Sequence, residues 1–227
     1  MKKCLFIVVG LIVGLFLSTQ NLFALNIEFT DATKFSGVQG NSSTVISDPY
    51  SQGFDIRLTA KPQPATMTFN FGDGIGITEN NSDTGWEYDE IEWQERLAVE
   101  FLDNTGSLLY YKLNQIYITD LFYEHGYLEK GRYSLFIDET WTDWTTFTAD
   151  QSQIAGSTNG EFYAAIGETV QGIRFAGVID SSYGLFEYSV GGIEISAAPV
   201  SEPATMLLLG TGLLGLAGFG RKKIIKK

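Results

Sequence analysis

Apolar and polar residues alternate one by one along much of the middle of this chain. In Phe54-Asp-Ile-Arg-Leu-Thr59 the apolar positions are Phe54, Ile56 and Leu58. Thr66–Phe71 repeats the pattern with Met67, Phe69 and Phe71. Leu97–Phe101 does so with Leu97, Val99 and Phe101, and Leu185–Ser196 with Phe186, Tyr188 and Val190. A period of two places each set on one face of a β-strand, buried on that side and wet on the other. Asn26–Phe29, Thr44–Ile46, Leu108–Leu113, Gln115–Phe122, Tyr133–Asp138, Thr145–Ala149, Glu161–Ala165 and Gly172–Val178 also read as strands. Breaks fall at Lys61-Pro-Gln-Pro64 and at the Asp103-Asn-Thr-Gly106 turn. The glycines of Gly72-Asp-Gly-Ile-Gly suit a bulge or turn. No stretch of the middle keeps the 3.6-residue period of a helix through three turns. The pattern predicts an all-β fold: an antiparallel β-sandwich, jelly-roll-like.

Two stretches depart from alternation because they are apolar throughout. The first is Cys4–Leu17, 14 residues, preceded by Lys2 and Lys3 and followed by a polar segment that ends at Ala24. A basic start, an apolar centre and a small residue at the end form a secretory signal helix, with cleavage expected after Ala24. The Sec translocon is the expected partner. The second is Ala204–Gly220, 17 residues carrying six leucines and five glycines, followed by Arg221-Lys-Lys-Ile-Ile-Lys-Lys227. As a helix it would reach about 25 Å, a little short of a hydrocarbon core, and the basic end would hold the C-terminus in the cytoplasm. The expected organisation is a signal peptide at 1–24, a β-sandwich ectodomain at 25–199 and a C-terminal tail with a transmembrane helix at 200–227.

Glu202-Pro203, then the Leu/Gly-rich span, then Arg221-Lys-Lys resembles the PEP-CTERM protein-sorting signal of Gram-negative bacteria. The resemblance covers the last 27 residues or so. Ser201 stands where that family usually has proline. It implies recognition of Glu202 and Pro203 by an exosortase, a protease-transferase of the inner membrane, with Arg221 opening the basic stop. The helix is then a transient inner-membrane anchor, and the mature chain goes to the cell surface or extracellular matrix. The resemblance carries no activity for the domain in front of the tail.

Charge narrows what that domain meets. Residues 25–199 hold eight Lys and Arg against 26 Asp and Glu, a net of −18. Phosphate backbones demand the opposite sign, so nucleic acid is excluded as a partner. The chain's one cysteine, Cys4, lies in the signal segment, so an oxidising exterior is met with no disulfide.

Candidate chemistry is sparse. The segment 73–95 carries Asp73, Asp83, Asp89 and Glu90 among eight carboxylates. Calcium takes six to eight oxygens from such groups on flexible loops, so a structural calcium is the one cofactor the pattern allows; the alternative is a solvated acidic loop. Trp86 and Trp93 lie in this segment, and Trp141 and Trp144 lie in Glu-Thr-Trp-Thr-Asp-Trp-Thr. Indole faces suit stacking on sugar rings; the alternative is that they plug the ends of the sandwich. With one histidine, no Gly-x-Ser-x-Gly and no catalytic set, no catalytic residue is assigned and no enzyme is expected. The expectation is an exported, non-enzymatic surface or matrix protein. A carbohydrate-binding module for extracellular polysaccharide is the alternative, with a glycoside-active enzyme behind it.

Overall fold

The computed structural model describes residues 24–78, 90–92, 94–124, 126–154, 160–180 and 184–198. The chain divides into two units, Met1–Ala197 and Ala198–Lys227, and all but the last described residue belong to the first. The signal helix and the tail helix of the sequence reading lie outside the described residues. Among the described residues no helix is long and apolar enough to cross a membrane.

The chain opens with β1 (Leu25–Glu28), a one-turn helix α1 (Ala32–Phe35), β2 (Ser43–Ile46) and β3 (Asp55–Lys61). Next come β4 (Thr66–Asn70), β5 (Gly74–Thr78), β6 (Arg96–Leu102) and β7 (Tyr111–Thr119). A small hairpin, β8 (Tyr123–Glu124) and β9 (Tyr127–Leu128), precedes β10 (Lys130–Ile137), β11 (Thr140–Trp141) and β12 (Thr145–Thr148). The chain then runs through β13 (Phe162–Val170) and β14 (Gly172–Gly177), a second small hairpin of β15 (Ile179–Asp180) and β16 (Gly184–Leu185), and β17 (Ser189–Ala197).

The long strands form two antiparallel sheets. The first has six strands in the order β13-β7-β17-β5-β4, with β1 also on β17. β1 and β5 share one edge of β17, since β1 pairs with Gly192–Ile195 and β5 with Val190. The second has seven strands in the order β11-β10-β14-β6-β3-β2, with β12 also on β10. From β5 on, successive long strands alternate between the sheets: β5, β7, β13 and β17 in the first, β6, β10 and β14 in the second.

Alternation explains the packing. Ile75, Ile77, Ile116, Ile118 and Val190 of the first sheet are at most 1 % exposed, as are Ile56, Leu58, Val99, Phe101, Ile173 and Phe175 of the second. Both sets belong to one buried cluster. Each such side chain contributes on the order of 1.5–3 kcal/mol by leaving water. Edge-to-face aromatics add to it: Phe54, Phe101 and Tyr111 lie within 5.0–6.3 Å of one another. Tyr188 sits against Phe147 at 5.2 Å and its phenol donates to the carbonyl of Ala176 at 2.9 Å. Such a core holds the fold without a disulfide.

Three local readings are corrected. The expected strands 108–113 and 115–122 are one strand, β7. The polar break between them is a bulge at Asn114, where pairing to β17 passes from Leu113–Ile195 to Gln115–Glu194. The Asn114 side chain donates to Glu194 at 3.1 Å. Phe71 is 80 % exposed because the β4–β5 turn begins at it. The glycines after it make that turn and then a strand, β5, which composition had hidden. Gly74 has φ +114°, and a Cβ there would stand 2.2 Å from the Val190 carbonyl oxygen, so glycine lets β5 approach β17.

Candidate functional site

The tryptophan segment is built by a tight hairpin. Ile137 pairs with Thr140 across Asp138 and Glu139, whose φ values are +47° and +60°. Two positive φ angles in a two-residue loop match the twist of the flanking strands. Tyr110 donates to the Asp138 carboxylate at 2.9 Å, and the Glu139 amide donates to Gln171 Oε1 at 2.8 Å. Beyond β11, Thr142 stays on β10: its amide donates to the Leu135 carbonyl at 2.9 Å, and its hydroxyl accepts from the Leu135 amide at 3.0 Å. Ser134 donates its hydroxyl to the Thr142 carbonyl at 2.7 Å. β12 then takes over the same edge from Tyr133 to Lys130. Trp141 and Trp144 are thus anchored on either side of Thr142.

Both indoles meet arginines of the second sheet. Arg174 on β14 lies over Trp141 and over Trp144, its guanidinium carbon 4.5 Å from each ring centre. Arg132 on β10 lies 4.7 Å over Trp144. Trp141 also stacks on Phe136 at 4.6 Å. Ile173 and Phe175, the neighbours of Arg174, point into the core. Arg174 therefore points out, and so does the whole row it belongs to. Trp141 and Trp144 cover the outer face of the second sheet, and among the described residues the rings that fill the core are phenylalanines and tyrosines.

Register places most of the domain's positive charge on this face. Lys130 and Arg132 on β10, Arg174 on β14, Arg96 on β6, and Arg57 and Lys61 on β3 share it. These are six of the eight Lys and Arg of residues 25–199. The strand carboxylates on the same face are Asp55 and Glu100. Glu100 is spent on Arg57, which donates from Nε and a terminal nitrogen at 2.8 and 2.9 Å. Among the described residues neither Arg132 nor Arg174 is seen in an ion pair. Their Nε atoms are buried with no hydrogen-bond partner among the described residues. Burial, followed by the charges of Arg96 and Arg132, pulls the Arg174 guanidinium below its ordinary range.

The first sheet has the opposite character outside. A groove there is lined by Asn26, Glu28, Gln115, Tyr117, Tyr163 and Glu194 among others, with no Lys or Arg in its lining. Tyr117 and Tyr163 stack at 4.7 Å and 14°. The Tyr117 phenol donates to Glu161 at 3.2 Å; burial, then that carboxylate, pushes its pKa well up.

Among the residues expected to act, the structure brings Trp141 and Trp144 together on Arg174. Trp86 and Trp93 lie outside the described residues. Of the calcium set, Asp83 and Asp89 lie outside as well. Asp73 sits in the β4–β5 turn, and the Glu90 carbonyl accepts from the Ile77 amide of β5. Among the described residues no three His, Cys, Asp or Glu side chains gather as a metal site. Ala24 directly precedes β1 and is exposed. Glu202, Pro203 and Arg221 lie outside the described residues. The arginines were missed by sequence reading, since each stands alone in an alternating strand and only sheet register collects them.

The family description "PEP-CTERM protein-sorting motif" matches residues 199–222, which include Glu202, Pro203 and Arg221. No curated protein and no solved structure matches the chain. The match makes this a C-terminally sorted exported protein, recognised through its tail by an exosortase and destined for the surface or extracellular space.

Proposed function

We propose that this chain is a non-enzymatic surface or matrix protein that passes the Sec translocon and is held transiently by Ala204–Gly220 with its C-terminus in the cytoplasm. Release follows near Glu202-Pro203. The observation that carries this is the sorting motif at 199–222, directly behind the last strand of the β domain, which ends at Ala197. One histidine in the whole chain and no cysteine beyond Cys4 support the absence of catalysis. The alternation of long strands between the two sheets supports a jelly-roll-like sandwich as the displayed body. Changing Pro203→Ala in the producing cells tests the reading. The anchored precursor is expected to build up in the membrane fraction, and undiminished release contradicts it.

A second reading is carbohydrate binding. It is supported by the gathering of Trp141 and Trp144 on one outer sheet face instead of in the core. Titration with the producing organism's own extracellular polysaccharide tests it: saturable binding is expected, weakened by Trp141→Ala/Trp144→Ala, and no binding contradicts it.

A further inference from the structure

The outer face of the second sheet concentrates positive charge on a protein that is otherwise acidic, and two of its guanidiniums lack a carboxylate. A surface built only for solubility gains nothing from this arrangement. Like charges repel across it, and two buried Nε–H donors go unmatched, each costing free energy. The arrangement gains purpose once an anion arrives.

The indoles prepare the arginines for it. A guanidinium held over an indole ring is attracted to the ring's electrons and does not spend its N–H donors on that contact. Arg174 lies over both Trp141 and Trp144, and Arg132 lies over Trp144, so two guanidiniums are oriented without using their donors; each Nε is covered, which leaves the two terminal nitrogens as the edge offered to a ligand. A planar carboxylate matches such a fork with two parallel hydrogen bonds. The remaining cations extend the site. Arg132, Ala176, Arg96 and Lys61 are successive register partners across β10, β14, β6 and β3. Three strand spacings of about 4.8 Å make that row roughly 14 Å long. Ala176 in the row and Ala98 in the next row keep the floor low. A line of cations of this length suits a polymer with repeated acid groups better than one small anion.

Resting on the carbohydrate-binding reading, we propose that this face binds an acidic, carboxylate-bearing (uronate-type) polysaccharide, with Arg132 and Arg174 as the carboxylate forks, Arg96 and Lys61 as the continuing track, and Trp141 and Trp144 as the struts that hold the forks. The tryptophans then act on the sugar chiefly through the arginines. The partner chemistry fits an exported protein, which meets such polymers outside the cell.

The test uses the full-length chain against immobilised polygalacturonate, neutral dextran and inorganic polyphosphate at several salt concentrations. The expected result is salt-sensitive binding to polygalacturonate, weak or no binding to dextran, and a preference for polygalacturonate over polyphosphate. Arg132→Gln/Arg174→Gln is expected to lower polygalacturonate affinity roughly tenfold or more, since charge-assisted bonds are lost. Lys34→Gln/Lys112→Gln removes the same charge elsewhere and is expected to leave binding nearly unchanged. Urea midpoints check that each variant folds. Should the glutamine pair unfold, Arg132→Lys/Arg174→Lys puts the same question, because it keeps charge but loses the planar fork; unchanged affinity there overturns the proposal. Binding that survives the glutamine pair overturns it too. Dextran binding that ignores salt and both arginines overturns the acidic assignment and leaves carbohydrate binding standing, whereas no binding to either polysaccharide removes both. Stronger binding to polyphosphate, or salt-sensitive self-association that the arginine pair abolishes, assigns the face to another partner and overturns the proposal.

Discussion

Tyr188 shows how much a single position settles. It is fully buried, stands edge-on to Phe147 and donates a hydrogen bond from its hydroxyl to the Ala176 carbonyl across the core. Alternation with Phe186 and Val190 identified its inward face from sequence, and all three are at most 4 % exposed. The hydrogen bond was not legible, because its acceptor lies on β14 in the other sheet. Burial raises the phenol's pKa above its ordinary value of 10.0. Tyr50 is pushed up to about 12 by burial as well. A raised folded-state pKa means that the stability these phenols contribute is complete below pH 10 and is lost as pH rises toward the folded value. Urea midpoints measured from pH 8 to 12 are expected to fall above pH 10. Tyr188→Phe is expected to cost about 1 kcal/mol at pH 8 through the lost hydrogen bond and to flatten the alkaline fall. An equally steep fall in that variant would remove Tyr188 from the explanation.

At the scale of elements, pattern was legible where one face is buried and the other wet. β3, β6, β14 and β12 came out within a residue or two of their expected bounds. β5 and β11 did not. β5 is glycine at alternate positions, Gly74 and Gly76, so its period of two has little hydrophobic contrast. β11 is two residues long and owes its existence to the Asp138-Glu139 turn, which lacks the Asn-Gly signature of such loops. Holding Glu139 at φ +60° costs a side chain on the order of 1–2 kcal/mol. Glycine relieves that strain and gives part of it back as chain entropy. Glu139→Gly keeps the amide that donates to Gln171 and is expected to stabilise by about 0.5 kcal/mol, raising Tm by a degree or two. A lower Tm in a thermal melt would show that the side chain itself holds the tryptophan hairpin in place.

For the whole molecule, the sequence tells destination better than task. The tail is a contiguous string, so Glu202, Pro203 and Arg221 were readable in order and the matched motif covers them. The basic face is not contiguous: Lys61, Arg96, Arg132 and Arg174 come from four strands, and net charge hides them beneath 26 acids. Only the folding of β3, β6, β14 and β10 side by side turns four isolated cations into one surface. Destination and surface fit together, because an acidic domain with one basic, aromatic-braced face is suited to staying soluble outside the cell while holding a polyanion in one orientation. Reaching that destination requires the tail to be a temporary anchor. The most direct measurement is the intact mass and C-terminal peptide of the protein recovered from outside the producing cells. The expected chain begins after Ala24 and ends in the neighbourhood of Glu202-Pro203, without Ala204–Lys227. Recovery of the exported protein with its tail intact through Lys227 would contradict it.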